Sequence, residues 1–222
     1  MMEIQEKINA SLAGLKYLIS LKPKRIWIVG FSGGKDSTAV LCLIYKFLEH
    51  VKDERELPKR IIIVYTDTLV EIPAMREQAL NTLRTFKEIC DDIFEGLVSV
   101  RILKPKAGED FFSMMIEKGY PAPHYRFRWC MDRLKLKPLR RFLSMFNVKD
   151  SIIISGIRFD ESLKRRSLME KRHQTSFLTE YKGRLLAAPL INWTTDDIWS
   201  FVLSKDCPLR DNLRTFLSMF AK

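Results

Sequence analysis

The stretch Ser32-Gly33-Gly34-Lys35-Asp36-Ser37 sets two hydroxyls, two glycines, an amine and a carboxylate side by side. Glycines let the backbone approach an anion closely, the hydroxyls of Ser32 and Ser37 can donate to oxygen, and Lys35 adds a positive charge. Such a turn holds phosphate best between a strand and a helix start, where free backbone N–H groups and the helix dipole point at the ligand. The flanking residues predict that setting. Ile26 to Phe31 is an apolar run rich in strand formers, and Thr38 to His50 places Val40, Leu41, Ile44 and Leu48 on one helical face. The string is not a Walker A loop, because Val29 stands where that motif needs glycine and Asp36 follows the lysine. A nucleotide phosphate is the expected ligand. Asp36 repels phosphate unless a cation intervenes, so it is expected to brace the loop by accepting backbone N–H bonds or to help hold Mg²⁺.

Other candidates lie at the ends of further strands. Ile61 to Tyr65 is fully apolar and reads as a buried parallel strand. Thr66 and Asp67 sit at its carboxyl end, where ligands gather in open α/β sheets. Asp67 and Glu71 can orient ribose hydroxyls or bind Mg²⁺ through oxygen; the plainer alternative is a pair of loop-end caps. Lys135, Arg158 and Arg165 can oppose phosphate charge, the arginines through bidentate contacts. Gly156 follows a predicted strand at Ile152 to Ile154. Cys130 lies among Arg126, Arg128 and Arg133, cations that favour a thiolate. It is a sulfur carrier, a cluster ligand or an inert buried thiol. His124 is either catalytic or merely exposed. Cys42 and Cys90 fall within helical patterns and read as core, as does the Trp193 and Trp199 pair.

Taken together, these strings resemble a known family. SGGKDS resembles the PP-loop of the adenine-nucleotide alpha-hydrolase superfamily. Tyr65-Thr66-Asp67-Thr68 with Glu71 and Pro73 resembles the (S/T)DTGxExP stretch of 3′-phosphoadenylylsulfate (PAPS) reductase-like proteins, with Leu69 where glycine is usual. Trp129-Cys130 with Leu134-Lys135 is similar to their (R/W)CxxxLK segment. Gly156-Ile157-Arg158 with Glu161, Ser162 and Arg165 is similar to GxRxxESxxR, and Pro189 through Trp193 to Trp199 is similar to P(I/L)xxWxxxDVW. The order of strings is closest to the DNA-phosphorothioation sulfurtransferase branch and to generic PAPS reductase-like proteins.

The resemblance implies a three-layer α/β/α fold with a mostly parallel sheet and a bound adenine nucleotide, ATP or PAPS. It implies a binding set of Ser32, Gly33, Gly34, Lys35, Asp36, Ser37, Thr66, Asp67, Glu71, Lys135, Gly156, Arg158, Glu161 and Arg165. It also implies catalytic roles for Lys35, Asp36, Cys130 and Arg158, with Asp36 and Asp67 as Mg²⁺ ligands. The leading activity is ATP pyrophosphatase (adenylating) chemistry linked to sulfur transfer. The alternatives are reductive cleavage of PAPS or adenylylsulfate by a thiolate, and a nucleotide-binding subunit that needs a partner for turnover. PAPS reductases use a cysteine in a Glu-Cys-Gly-type tail, whereas the last cysteine here is Cys207, in Asp206-Cys207-Pro208. With Cys42 and Cys90 assigned to the core, too few thiolates remain for an iron–sulfur cluster, and none is expected.

The elements that must position these residues alternate between strand and helix along 222 residues, enough for one large core. A helix from Glu3 to Leu21 ends at Pro23. Another starts at Pro73 with Met75, Ala79, Leu83 and Phe86 inside, and Leu97 to Leu103 is a strand. Asp110 to Glu117 is a short helix, 118–130 is a loop, and Asp132 to Phe146 is a helix interrupted at Pro138. Arg158 to Gly183 lacks periodicity and reads as a long loop, mobile without ligand, of which Arg158 to Arg172 is expected to order over a bound nucleotide. Thr194 with Asp197 marks a helix start, and a last helix begins near Asp211. The expected division is a packed N-terminal helix (1–24), a nucleotide-binding domain (25–203) and a short helical tail (204–222).

No run approaches the roughly 18 apolar residues of a membrane span, and the charged N-terminus does not read as a signal peptide. Four widely spaced cysteines without a C-x-x-C pair predict neither a disulfide framework nor a zinc site, and fit a reducing cytoplasm. The formal charge is +11, and between Arg126 and Arg172 there are 14 Lys or Arg against 5 Asp or Glu. That segment is either a solvated surface or an electropositive face for a nucleotide or a nucleic acid. A sulfur-donor protein and a homodimeric partner complete the expected associations.

Overall fold

The computed structural model describes residues 3–21, 25–53, 57–161, 167, 170, 176–181 and 183–218. Ile26–Phe31 (β1) lies inside a six-stranded sheet. Arg60–Thr66 (β2) pairs with one of its edges and carries Val98–Leu103 (β3) beyond it. Ser151–Ile154 (β4) pairs with the other edge, followed by Arg184–Ala187 (β6) and then Leu178–Tyr181 (β5). The order is β3-β2-β1-β4-β6-β5, parallel throughout except for the β5–β6 hairpin. The chain leaves β1 toward β2 on one side and returns to β4 on the other. A topological switch point therefore lies between the carboxyl ends of β1 and β4, where open α/β sheets leave a crevice.

Alternation along the strands sorts their side chains between two faces. Trp27, Val29, Phe31, Ile61, Ile63 and Tyr65 share one apolar cluster with five helices. These are Ile4–Leu21 (α1), Lys35–His50 (α2), Pro73–Asp91 (α3), Thr195–Val202 (α5) and Arg210–Ser218 (α6). Ile28, Ile62 and Val64 face the other way and pack with Leu139, Phe142 and Leu143 of Lys137–Leu143 (α4). The arrangement is the expected α/β/α sandwich, with the second outer layer much thinner than the first.

Several boundaries differ from the sequence expectation for identifiable reasons. α2 begins at Lys35 rather than Thr38, because Gly34 takes the extended N-cap conformation (φ −90°, ψ 166°) and Lys35 and Asp36 enter the first helical turn. The aperiodic stretch before Gly183 is not all loop: it contains β5, an edge strand that turns back at Gly183 (φ 75°) to pair with β6. Within that stretch, 162–166, 168–169, 171–175, 182 and the side chains of Glu161 and Tyr181 lie outside the described residues. So do Arg165 and most of the loop expected to close over a ligand. Met75 is exposed, while Ala79, Leu83 and Phe86 are buried as expected. Ser113–Glu117 and Met131–Leu136 wind as π-helical turns, the second running into α4. The Lys137 N–H still donates back to the Asp132 carbonyl, and Pro138, which has no N–H to donate, follows it in α4.

Cys42 of α2 and Cys207, just before α6, form a disulfide with Cα atoms 5.4 Å apart. This corrects the expectation of unpaired cysteines. A separation of 165 residues left no local pattern to signal the pair; packing of α2 against α5 and the segment after it brings the two together. No helix among the described residues is long and apolar enough to cross a membrane.

Candidate functional site

β1 ends at Phe31, and the chain turns through Ser32, Gly33 and Gly34 into α2. Gly33 has φ 79°, a conformation that glycine adopts without steric cost. The Thr38 N–H donates to the Gly34 carbonyl at 3.0 Å as the first intrahelical bond. The amides of Lys35, Asp36 and Ser37 thus have no intrahelical acceptor, and Gly34 supplies no side-chain cap. Ser37 braces the turn: its hydroxyl donates to the Gly34 carbonyl (2.9 Å), accepts from the Ser32 N–H (3.2 Å) and lies 3.1 Å from the Ser32 hydroxyl. Gly156, beyond β4, crosses this first turn closely. A Cβ there would stand 3.0 Å from the Asp36 carbonyl oxygen and 3.1 Å from its carbon, both backbone atoms with little freedom to yield.

A cavity of about 380 Å³ opens at the switch point. Ser32, Asp36, Ser37, Thr66, Glu71, Lys135, Ser155 and Gly156 form its polar wall, and Ile28, Val64, Leu139, Leu143 and Ile153 an apolar one. The polar wall suits phosphate oxygens, and the apolar one a flat heterocycle or another apolar group. Ser155 and the apolar wall are additions to the site residues expected from sequence. The helical spacing of Leu136, Leu139 and Leu143 was a visible signal for that wall, but it did not say which side of the sheet would take them.

On the β2 side, Tyr65 donates its hydroxyl to Glu71 Oε2, and Glu71 Oε1 lies 3.8 Å from Lys135 Nζ. Burial, and then the Glu71 hydrogen bond, push the Tyr65 phenol well above its ordinary value, so it remains a donor. Asp67 is fully buried and does not line the cavity. Its Oδ2 accepts from Arg76 Nε at 2.8 Å and its Oδ1 from the Leu69 N–H at 3.0 Å. Leu69 adopts φ 66°, the left-handed conformation for which glycine is the usual choice.

The PP-loop carboxylate departs most from expectation. Asp36 does not accept loop N–H bonds. Its Oδ1 lies 2.6 Å from Arg158 Nε, a close charge contact without the alignment of a hydrogen bond, and its Oδ2 is 3.2 Å from Lys35 Nζ. Arg158 is 1% exposed. It also reaches Asp160, the Trp193 carbonyl and the Thr195 hydroxyl at 3.5, 3.4 and 3.2 Å. It therefore ties the PP-loop to the start of α5, and it does not line the cavity. Lys35 likewise does not line the cavity; its ammonium lies 6.0 Å from the centre of the Trp199 ring.

Asp36 and Asp67 do not fit a protein-held Mg²⁺, since each is already paired with an arginine and only Asp36 lines the cavity. No cluster of three or more metal-ligating side chains occurs among the described residues. The cysteines do not fit a cluster within one chain either. Cys42 and Cys207 are bonded to each other, and burial pushes the Cys90 thiol up to about 12. Cys130 is half-buried and unpaired. It caps the Met131–Leu136 turn and lies off the cavity wall.

Residues 26–212 match the phosphoadenosine phosphosulfate reductase domain. An uncharacterized protein of Methanocaldococcus jannaschii is 29% identical over 187 residues, which is 84% of this chain and 33% of that protein. The adenosine 5′-phosphosulfate reductase of Salinibacter ruber is 29% identical over 124 residues, 54% of this chain and 44% of its own. The chain thus spans less than half the length of either relative. The crystal structure of PAPS reductase from Candida auris, a phosphate complex, superposes with a TM-score of 0.58 at 15% identity, over 96% of this chain and 90% of that one. The strand–glycine turn–helix at 26–50, the crevice beside β4 and the domain match agree, and the chain belongs to the PAPS reductase domain family of PP-loop proteins.

Proposed function

We propose that the cavity binds ATP, with its phosphates on the amides of Lys35, Asp36 and Ser37 and its adenine against the apolar wall, and that the chain catalyses adenylation. An acceptor oxygen attacks the α-phosphorus, the bond to the bridging oxygen breaks, and pyrophosphate leaves. One observation carries this reading: the uncapped N-terminus of α2 and the Ser32 and Ser37 hydroxyls meet at the polar wall of a cavity that has an apolar opposite side. The protein's part is to position the nucleotide and stabilise charge as pyrophosphate departs. Lys135 is the cation on the wall, and Glu71 and Tyr65 hold it in place. The adenylated acceptor then suits sulfur transfer, with the sulfur supplied by a partner.

The family name favours a second reading, reductive cleavage of PAPS or adenylylsulfate by a thiolate. None of the four cysteines lines the cavity, so that chemistry needs a thiol from elsewhere. The two readings separate on product. Incubation with ATP and candidate acceptors is expected to release pyrophosphate. Sulfite release from PAPS with added thiol, without pyrophosphate from ATP, overturns the adenylation reading in favour of the reductive one.

A further inference from the structure

The loop between the two π-helical turns carries a feature that the cavity does not use. His124 and Phe127 exchange backbone hydrogen bonds (3.3 and 3.0 Å) and form an isolated antiparallel bridge, with Tyr125 and Arg126 at its tip. The tip is tied to the interior by a succession of ring contacts. Phe111 stacks on buried Trp129 at 5.4 Å, Tyr120 meets Trp129 edge-on at 5.5 Å, and Tyr120 stacks on Phe127 at 6.4 Å. His124 continues the line to Phe127 and Tyr125 at 6.3 and 6.1 Å. Trp129 is anchored in turn by its indole N–H, which donates to the Pro121 carbonyl at 2.9 Å. The outermost ring, Tyr125, is 78% exposed, and the Arg126 guanidinium lies over it at 5.1 Å.

We propose that this tip is a stacking platform for single-stranded nucleic acid. An exposed aromatic ring on a braced turn offers a π-face to any unpaired base, with little side-chain freedom left to lose on binding. The charge fits the same ligand. Residues 118–130 contain Lys118, Arg126 and Arg128, all exposed, and no Asp or Glu. Arg126 can contact phosphate while its plane stays against Tyr125. Duplex nucleic acid hides its base faces and would meet only the cations. A second copy of the chain, itself at +11, would meet like charge at this surface. Through Trp129 and Cys130 the chain continues from the platform into the turn that carries Lys135 on the cavity wall. The inference stands apart from the adenylation reading, because it concerns binding without nucleotide.

The test is fluorescence anisotropy with labelled 12-nucleotide oligo(dT) and oligo(U), without ATP. Both strands are expected to bind, and a duplex of the same length to bind several-fold more weakly. Tyr125→Ala is expected to weaken single-strand binding by about tenfold, while Tyr125→Phe retains it. Arg126→Gln and Arg128→Gln are each expected to flatten the slope of log affinity against log salt by about 0.7. Equal affinity for duplex and single strand, no loss in Tyr125→Ala, or an equal loss in Tyr125→Phe overturns the proposal. So does a Tyr125-dependent dimer in sedimentation, or capture of an acidic peptide in preference to either oligonucleotide. Tyr125 is exposed, so its substitutions leave the core intact, and an unchanged melting temperature confirms that each variant is folded.

Discussion

At the scale of single residues, the PP-loop depends on contacts that its own string does not announce. Gly156 is required because a Cβ would press on the Asp36 carbonyl. Gly156→Ala is expected to displace the first turn of α2 and to lower both the melting temperature and nucleotide affinity, measurable by calorimetry on the same samples. Arg158 holds Asp36 from a position with almost no exposure, whereas Asp36 itself is 24% exposed. Breaking a buried pair from one side costs about 3–5 kcal/mol; with one partner partly solvated, Arg158→Met is expected to cost about 2 kcal/mol in urea unfolding. If the cost comes from a stranded Asp36 carboxylate, adding Asp36→Asn recovers part of it; a double variant no more stable than Arg158→Met argues against that origin. Leu69 carries the opposite kind of information, since it takes a left-handed conformation without being glycine. Leu69→Gly relieves a strain of about 1 kcal/mol but adds comparable freedom to the unfolded chain. Stability is therefore expected to stay within about 1 kcal/mol of the parent, with the Asp67 turn unchanged in a crystal structure.

At the scale of elements, periodicity and punctuation made most of the fold legible. The apolar runs at 26–31 and 61–65 became neighbouring central strands, and Thr194 with Asp197 became a capping box that starts α5. Local pattern could not show which distant groups would meet. Arg158 and Asp36 lie 122 positions apart in the chain and Cys42 and Cys207 lie 165 apart, so neither pair left a local signal. β5 was hidden because an edge strand of four residues is too short for alternation to stand out. The tie between the β3–α4 connection and α4 shows how such distant pairs act. Glu109 accepts from Lys137 and from Arg141 (2.8 Å), and these bonds hold its carboxyl at about 2 instead of 4.5. The folded value lies below the unfolded one, so the stability from this group is complete above about pH 4.5 and is lost as pH falls toward 2. Glu109→Gln is expected to unfold more easily at pH 6, with the gap to the parent closing through that window. A gap independent of pH contradicts the assignment.

At the scale of the molecule, the thick helical layer and the thin one divide the work. α1, α2, α3, α5 and α6 form the large core, and the Cys42–Cys207 disulfide ties α6 to the helix that starts at the PP-loop. Closing so long a segment restricts the unfolded chain, by up to about 5 kcal/mol in a chain-entropy account. Dithiothreitol and Cys207→Ser are expected to lower the urea midpoint alike, and to have no further effect in combination. The thin layer, α4 and the turn before it, leaves room for the cavity and puts Lys135 on its wall. The central claim is that this cavity takes a nucleotide phosphates-first at the start of α2, and calorimetric titration of ATP, pyrophosphate and adenosine into the parent and Lys135→Ala tests it most directly. ATP and pyrophosphate are expected to bind the parent more tightly than adenosine. Lys135→Ala, which removes the cation from the cavity wall, is expected to weaken ATP and pyrophosphate, by roughly 1.5–3 kcal/mol for a charge-assisted contact, and to leave adenosine unchanged. Equal affinity for ATP and adenosine in the parent, with phosphates adding nothing, would contradict the account.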